Sequence, residues 1–184
     1  MSNIDKWNFI YDSNEFDKRG YINIDRNWIH KTAIIYPCVK LGVNNVIGAY
    51  TVIGGFGEMR NKNQNDFKGK VIIGDNNTIH DHITIQQPFD EFSVTSIGNN
   101  NLIMSHSHIG HDVSISDNCE ICTSSIIGGY AKIENNVKIK LGCIIRNRLI
   151  IHENSLIGMG SVVVKNVEKD TCVFGNPAKL HNRK

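Results

Sequence analysis

An aliphatic residue returns at every sixth position from Ile97 to Val163, through Ile103, Ile109, Ile115, Ile121, Ile127, Ile133, Ile139, Ile145, Ile151 and Ile157. Shorter runs of the same period precede it: Ile29, Ile35, Leu41, Ile47, Ile53, and then Ile73, Ile79, Ile85. An amphipathic helix needs an apolar stripe near every 3.6 residues, and none runs through these segments. Four positions after most of these aliphatics stands a small or apolar residue, among them Thr51, Ser107, Val113, Cys119, Ala131 and Ser155. Positions i and i+4 share parity, so on a short extended segment they point to the same side. One large and one small inward residue per hexad fill a narrow interior, which predicts the coils of a β-helix. Asn100, Asn118, Asn136 and Asn154 recur at eighteen, so three hexads make one coil and the solid is a triangular prism. Asn tolerates the left-handed backbone region, and its column marks one corner. About twenty hexads give six to seven coils, roughly 30 Å tall at ~4.8 Å per layer.

The period breaks twice. The polar stretch 55–70 interrupts it after Ile53, and the stretch 86–96, with Pro88 and no inward isoleucine, interrupts it after Ile85. Both read as loop excursions from a rigid scaffold, where functional groups are often placed. Residues 1–28 are expected to cap the first coil, residues 29–165 to form the β-helix domain, and residues 166–184 to make a short C-terminal tail.

Isoleucine and asparagine each supply more than a tenth of the 184 residues, and the hexads account for both. A formal charge of +2 argues against a nucleic-acid partner. No apolar run approaches the ~18 residues of a membrane span. The segment Met1 to Lys18 lacks the order of a secretory signal, so a cytoplasmic location is expected. Five cysteines, an odd number, fit a reducing compartment. Cys119 and Cys122 lack a second pair to complete a zinc site, and read as structural.

The chemistry gathers in Met104-Ser-His-Ser-His-Ile-Gly-His-Asp112, with His80 and His82 upstream. His111 falls two residues after an inward isoleucine, at a corner or facing outward. Neutral imidazole serves there as a general base near pH 7, or as a zinc ligand. His111, Gly129, Asn147 and Lys165 repeat at eighteen and should form one vertical column.

The hexads over 29–165 resemble the left-handed β-helix, hexapeptide-repeat acyltransferases. The segment Asn101 to Val113 resembles the catalytic segment of the UDP-N-acetylglucosamine O-acyltransferases of lipid A synthesis. That resemblance implies an all-β, left-handed parallel β-helix, with His111 as catalytic base and Asp112 orienting it. It makes His108 a substrate contact and places Asp66, in Asn65-Asp-Phe-Lys68, near the acceptor. Gln86 and Arg146 stand where that family has substrate-contacting histidines, so they are assigned to the acceptor as well. The closing segments Ser161-Val-Val-Val-Lys-Asn-Val and Val173-Phe-Gly-Asn-Pro-Ala-Lys179 resemble those of hexapeptide-repeat sugar acetyltransferases. By that resemblance Gly142, Gly160, Ser161, Lys165, Pro177 and Lys179, with Gly129, line a coenzyme A site.

The expectation is an acyltransferase that moves an acetyl or hydroxyacyl group from acyl-CoA, acetyl-CoA first, to a sugar or nucleotide-linked sugar. Its place would be cell-surface polysaccharide or lipopolysaccharide synthesis. Acyl carrier protein is the alternative donor, and the resemblance implies a homotrimer. A second class is a metal enzyme like the γ-class carbonic anhydrases, whose ligand pair His106-x4-His111 resembles. Gln86 replaces the third ligand there and is a poor one for zinc, so no metal is expected. A non-catalytic β-solenoid is the third class.

Overall fold

The computed structural model describes residues 17–58, 60 and 63–181. Expectations for residues 1–16 lie outside them. Three parallel sheets form three faces. The first face stacks six strands, from Val39–Leu41 to Ile150–Ile151. The second stacks ten, from Tyr21–Ile24 to Ala178–Leu180, and the third seven, from Ile34–Ile35 to Val162–Val163. Each coil visits the faces in that order. Ile97, Ile103 and Ile109 pair one layer down with Ile115, Ile121 and Ile127. From Ile47 to Ile157 the inward isoleucines of these strands are at most 2% exposed. Each contributes about 1.5–3 kcal/mol over leaving it in water.

The asparagine column turns the corner between the first and second faces. Asn100, Asn118, Asn136 and Asn154 have φ of 57°, 59°, 60° and 59°. The other two corners take the same left-handed conformation with other residues. His82, His106, Ser124 and Gly142 turn from the second face to the third, while Asp112, Tyr130 and Arg148 turn from the third back to the first. Left-handed backbone therefore occurs at every corner from Asn100 to Gly160, not only where asparagine stands.

Much of the asparagine lies inside. Asn27, Asn45, Asn77 and Asn101 occupy the small inward position and are at most 3% exposed. Asn45 donates its N–H and its Nδ2 to Asn27 Oδ1, at 2.9 and 3.0 Å, and Asn77 repeats both bonds to Asn45 Oδ1. The Nδ2 groups of Asn27, Asn45 and Asn77 also donate to the carbonyls of Gly42, Gly74 and Gly98 at 2.9 Å. The ladder ends where Asn101 Oδ1 accepts the Cys119 N–H at 2.7 Å, leaving Asn101 Nδ2 without a partner among the described residues.

Antiparallel hairpins close both ends of the second face. Tyr21–Ile24 pairs with Asn27–His30 across Asp25 and Arg26, both at positive φ, and Cys172–Gly175 pairs with Ala178–Leu180. The interruptions at 55–70 and 86–96 contribute strand residues at their ends, through Val52–Phe56, Lys70–Ile73, Thr84–Gln87 and Val94–Ile97. Of the described residues, 57, 58, 60, 63–69 and 88–93 are left outside the ladder. The first leaves at a bulge between Ile53 and Gly55. Gly54, at φ +86°, makes that bulge possible, because a Cβ there would sit 2.8 Å from Cys38 Sγ and Val39 Cγ2.

Candidate active site

The two excursions fold onto each other beside the corner that carries His111. Gln87 Nε2 donates to the carbonyls of Phe67 and Gly69, and the Lys68 N–H donates to the Phe89 carbonyl. Phe67 packs between Phe56 and Phe89, each ring centroid 6.0 Å away. Gly57 lies between Phe67 and His111: a Cβ on it would be 2.8 Å from Phe67 Cε1 and 3.1 Å from His111 Cβ. Asp66 ends the 3-10 turn Gln64–Asp66, and its Oδ2 accepts the Asn63 N–H at 2.9 Å.

His111 is held from four sides. Its Nδ1 is 2.8 Å from Asp112 Oδ2, with the two side chains 14% and 7% exposed. Its backbone N–H donates to Gln86 Oε1 at 3.2 Å. The Tyr130 ring stands edge-on to the imidazole at 5.0 Å and 88°. Below it lies Gly129, whose Cβ, if present, would be 2.9 Å from His111 Nε2. Asp112 turns the corner at φ +60°, and its own N–H donates to Thr95 Oγ1 at 2.8 Å. With Nδ1–H directed at the carboxylate, Nε2 is the acceptor nitrogen (a tautomer assigned from the hydrogen-bond partners).

His108 lies one strand position before the corner, and its Nδ1 is 2.7 Å from Thr84 Oγ1. Burial lowers its pKa below the ordinary value. The Glu58 carboxylate pulls it up, and His111 pushes it down again. The histidine cluster is split by the fold. His106 sits at the opposite edge of the third face, stacked on His82 at 4.9 Å and 7°, and His82 stacks on Tyr50. The pair His106 and His111 thus occupies two different corners, and no three His, Cys, Asp or Glu side chains converge among the described residues.

The expected coenzyme residues fall into separate groups. Gly129 and Lys165 lie on the His111 corner. Gly142 and Gly160 lie on the His106 corner, at φ +65° and +69°, with nothing within 4 Å of their Cβ positions. Pro177 and Lys179 belong to the terminal hairpin of the second face. Ser161 is fully buried in a small inward position, its Oγ donating to the Gly158 carbonyl and accepting the Gly175 N–H. Gln86 supports the His111 backbone from a buried position. Arg146 is exposed, and its N–H pairs with the Val163 carbonyl. Thr84, Thr95, Glu58, Tyr130 and Arg148 were not singled out from the sequence. Arithmetic does reach two of them, since Tyr130 and Arg148 lie eighteen and thirty-six residues after Asp112. Cys119 points inward. Cys122 is buried beside Glu120, which with burial raises its thiol pKa to about 11 and leaves it inert at neutral pH.

A three-faced parallel prism of six-residue turns, with a His–Asp pair at one corner, defines the class. The chain is similar to the left-handed β-helix, hexapeptide-repeat acyltransferases, and the family described as "Bacterial transferase hexapeptide (six repeats)" matches residues 95–129. The UDP-N-acetylglucosamine acyltransferase of Bacteroides fragilis superposes with a TM-score of 0.81 at 25% identity, covering 85% of this chain and 61% of that one. The Moraxella catarrhalis enzyme of the same name gives 0.66 at 27% identity, covering 86% and 73%. An acyl-[acyl-carrier-protein]–UDP-N-acetylglucosamine O-acyltransferase of Gloeothece citriformis is 30% identical over 147 residues, 80% of this chain and 52% of its own. One of Ectopseudomonas mendocina is 31% identical over 114 residues, 61% and 44%. The chain spans about half the length of the curated relatives it matches. No helix among the described residues is long and apolar enough to cross a membrane.

Proposed function

We propose that this chain is an acyltransferase that transfers an acyl group from a thioester, acyl-CoA, to a hydroxyl or amino group of a sugar or nucleotide-linked sugar. The observation that carries the reading is His111, with Nδ1 bonded to Asp112 at 2.8 Å and Nε2 directed over the bare backbone of Gly129. In this reading Nε2 takes the proton of the acceptor O–H or N–H as the acceptor attacks the thioester carbonyl. Asp112 holds the tautomer and stabilises the imidazolium that forms. The Gly129 N–H has no acceptor among the described residues, and it lies one layer below the imidazole. It is the proposed donor to the oxyanion of the tetrahedral intermediate. Collapse of the intermediate expels the thiolate, which recovers the proton from His111.

Asp66, Gln86, His108 and Arg146 are assigned to the acceptor side, and Gly129 and Lys165 to the donor side. The relatives named above act, by their names, on UDP-N-acetylglucosamine with an acyl-carrier-protein donor. Those names support a nucleotide-sugar acceptor and a carrier-protein thioester as the second donor. A place in lipopolysaccharide or related cell-surface synthesis, in the cytoplasm, is part of the proposal. A homotrimer is part of this reading. The outward column of the third face carries Ile126 and Ile144 in adjacent layers, each 43% exposed, apolar surface suited to burial against another copy.

The test is thiol release from acetyl-CoA, longer acyl-CoAs and acyl carrier protein thioesters, each with a panel of nucleotide sugars. His111→Ala is expected to lower turnover by about 10²–10⁴-fold with an unchanged melting temperature. Near-normal turnover in that variant, or no release with any donor, refutes the reading.

A further inference from the structure

Below His111 the same corner becomes cationic. Lys132 lies one layer down on the first face, Arg146 and Arg148 two layers down on either side of Asn147, and Lys165 three layers down. All four are exposed, and none forms an ion pair among the described residues. Elsewhere the cations Lys140 and Lys169 are paired, with Glu120 and Glu153. The carboxylate of this corner, Asp112, is already engaged by His111. The Arg148 side chain is positioned by Tyr130: its guanidinium lies 4.2 Å from the ring centroid, while its backbone N–H makes the corner bond to the Gly129 carbonyl. A cation stacked on an aromatic face keeps its in-plane N–H donors free for an anion, with less freedom to lose on binding.

Resting on the acyltransferase reading, we infer that Arg148 and Lys132 form the anchor for the diphosphate of a nucleotide-linked acceptor. Distance selects the acceptor over the donor. In a hexose the oxygen at C3 and the anomeric phosphorus are five bonds apart, about 5–6 Å at ~1.2 Å of extension per bond. With that hydroxyl or amine at His111 Nε2, the diphosphate falls one to two layers of ~4.8 Å away, at Lys132 and Arg148. In coenzyme A some fourteen bonds separate the thioester carbonyl from the diphosphate, about 16 Å when extended. That span carries the coenzyme's phosphates past Arg148 to Lys165 or beyond. One diphosphate bridging a forked guanidinium and an ammonium matches the geometry of charge-assisted recognition.

The experiment is isothermal titration of the full chain with UDP, GDP, dTDP, inorganic pyrophosphate and coenzyme A. Arg148→Met keeps an apolar side chain over Tyr130 while removing the charge. Arg148→Met and Lys132→Met are each expected to weaken nucleoside diphosphate binding by about tenfold, and to change coenzyme A binding by less than about twofold. Lys138→Met, on the second face, should leave every ligand unaffected. Equal losses for coenzyme A would overturn the assignment, as would unaltered nucleotide binding in both variants or no diphosphate binding by the wild type. His111→Ala keeps the anchor and removes the base, so the two readings fail separately. Arg148-dependent nucleotide binding without thiol release rejects the acyltransferase alone. Thiol release without diphosphate binding rejects the anchor alone.

Discussion

Gly129→Ala adds one methyl group at a place where its effect can be worked out. The Gly129 backbone lies outside the left-handed region, so alanine brings no conformational strain. The new Cβ would stand 2.9 Å from His111 Nε2, 3.0 Å from Cε1 and 3.1 Å from the His111 carbonyl oxygen. Ordinary contact begins near 3.4 Å, so the imidazole has to retreat by about 0.5 Å. It is pinned by Asp112 at 2.8 Å and by the Tyr130 ring, and retreat stretches the first contact toward the limit of a useful hydrogen bond. A displacement of ~1 Å costs about 10²-fold when a reacting group is misplaced. Half of that shift with a loosened orienting bond should cost about 30–100-fold in kcat/KM, or about 2–2.7 kcal/mol of transition-state stabilisation. Thiol release measures the loss, and ¹⁵N NMR of the His111 imidazole reports its tautomer independently of any substrate. The crowding at His111 should cost about 1 kcal/mol and lower the melting temperature by about 2–4 °C, leaving the chain folded at the assay temperature. Wild-type turnover together with unchanged imidazole resonances would refute the assigned position of His111 over Gly129.

Two further outcomes concern stability. Asn45→Ala strands the Asn77 N–H and the Gly74 carbonyl inside the prism, at about 1–3 kcal/mol each, and should lower the melting temperature by about 10 °C. Asn101→Ala also removes an amide with no partner and should cost less than half as much; the reverse order in a thermal melt would contradict the ladder. Burial holds the folded-state pKa of His108 below its ordinary 6.5, so between the two values the unfolded chain binds more protons. Stability is then complete above about pH 6.5 and falls as pH drops through the folded value. Urea unfolding between about pH 7.5 and 5 should show this fall, and His108→Gln should flatten it; identical curves would disprove the linkage.

The hexad isoleucines made the prism legible because each coil repeats one inward choice, Ile103 above Ile121 above Ile139. The same arithmetic placed His111, Gly129 and Asn147 in one column. It could not separate His106 from His111, because five residues along the chain cross a whole face of the prism. Nor did it distinguish asparagines that turn a corner, such as Asn100, from neighbours such as Asn101 that point inward. That choice depends on which side a single residue faces. The packing of Phe67 and Gly57 against His111 was out of reach for a different reason: the excursions obey no period, and only their contacts with each other fix them.

The inner asparagine ladder also records how cheaply those excursions were inserted. Successive rungs lie 32 residues apart from Asn45 to Asn77, 24 from Asn77 to Asn101, and 18 from Asn101 to Cys119. Closure entropy grows only with the logarithm of loop length, so lengthening a turn of the coil from 18 to 32 residues costs about 0.5 kcal/mol. The second insertion costs about 0.3 kcal/mol by the same relation. Both rungs close with the geometry of the uninterrupted coils, so the prism below does not register what was added above. A scaffold with this property separates inheritance of the catalytic corner from inheritance of its surroundings. The wall around His111 can be exchanged a loop at a time while the column that holds the base stays in register.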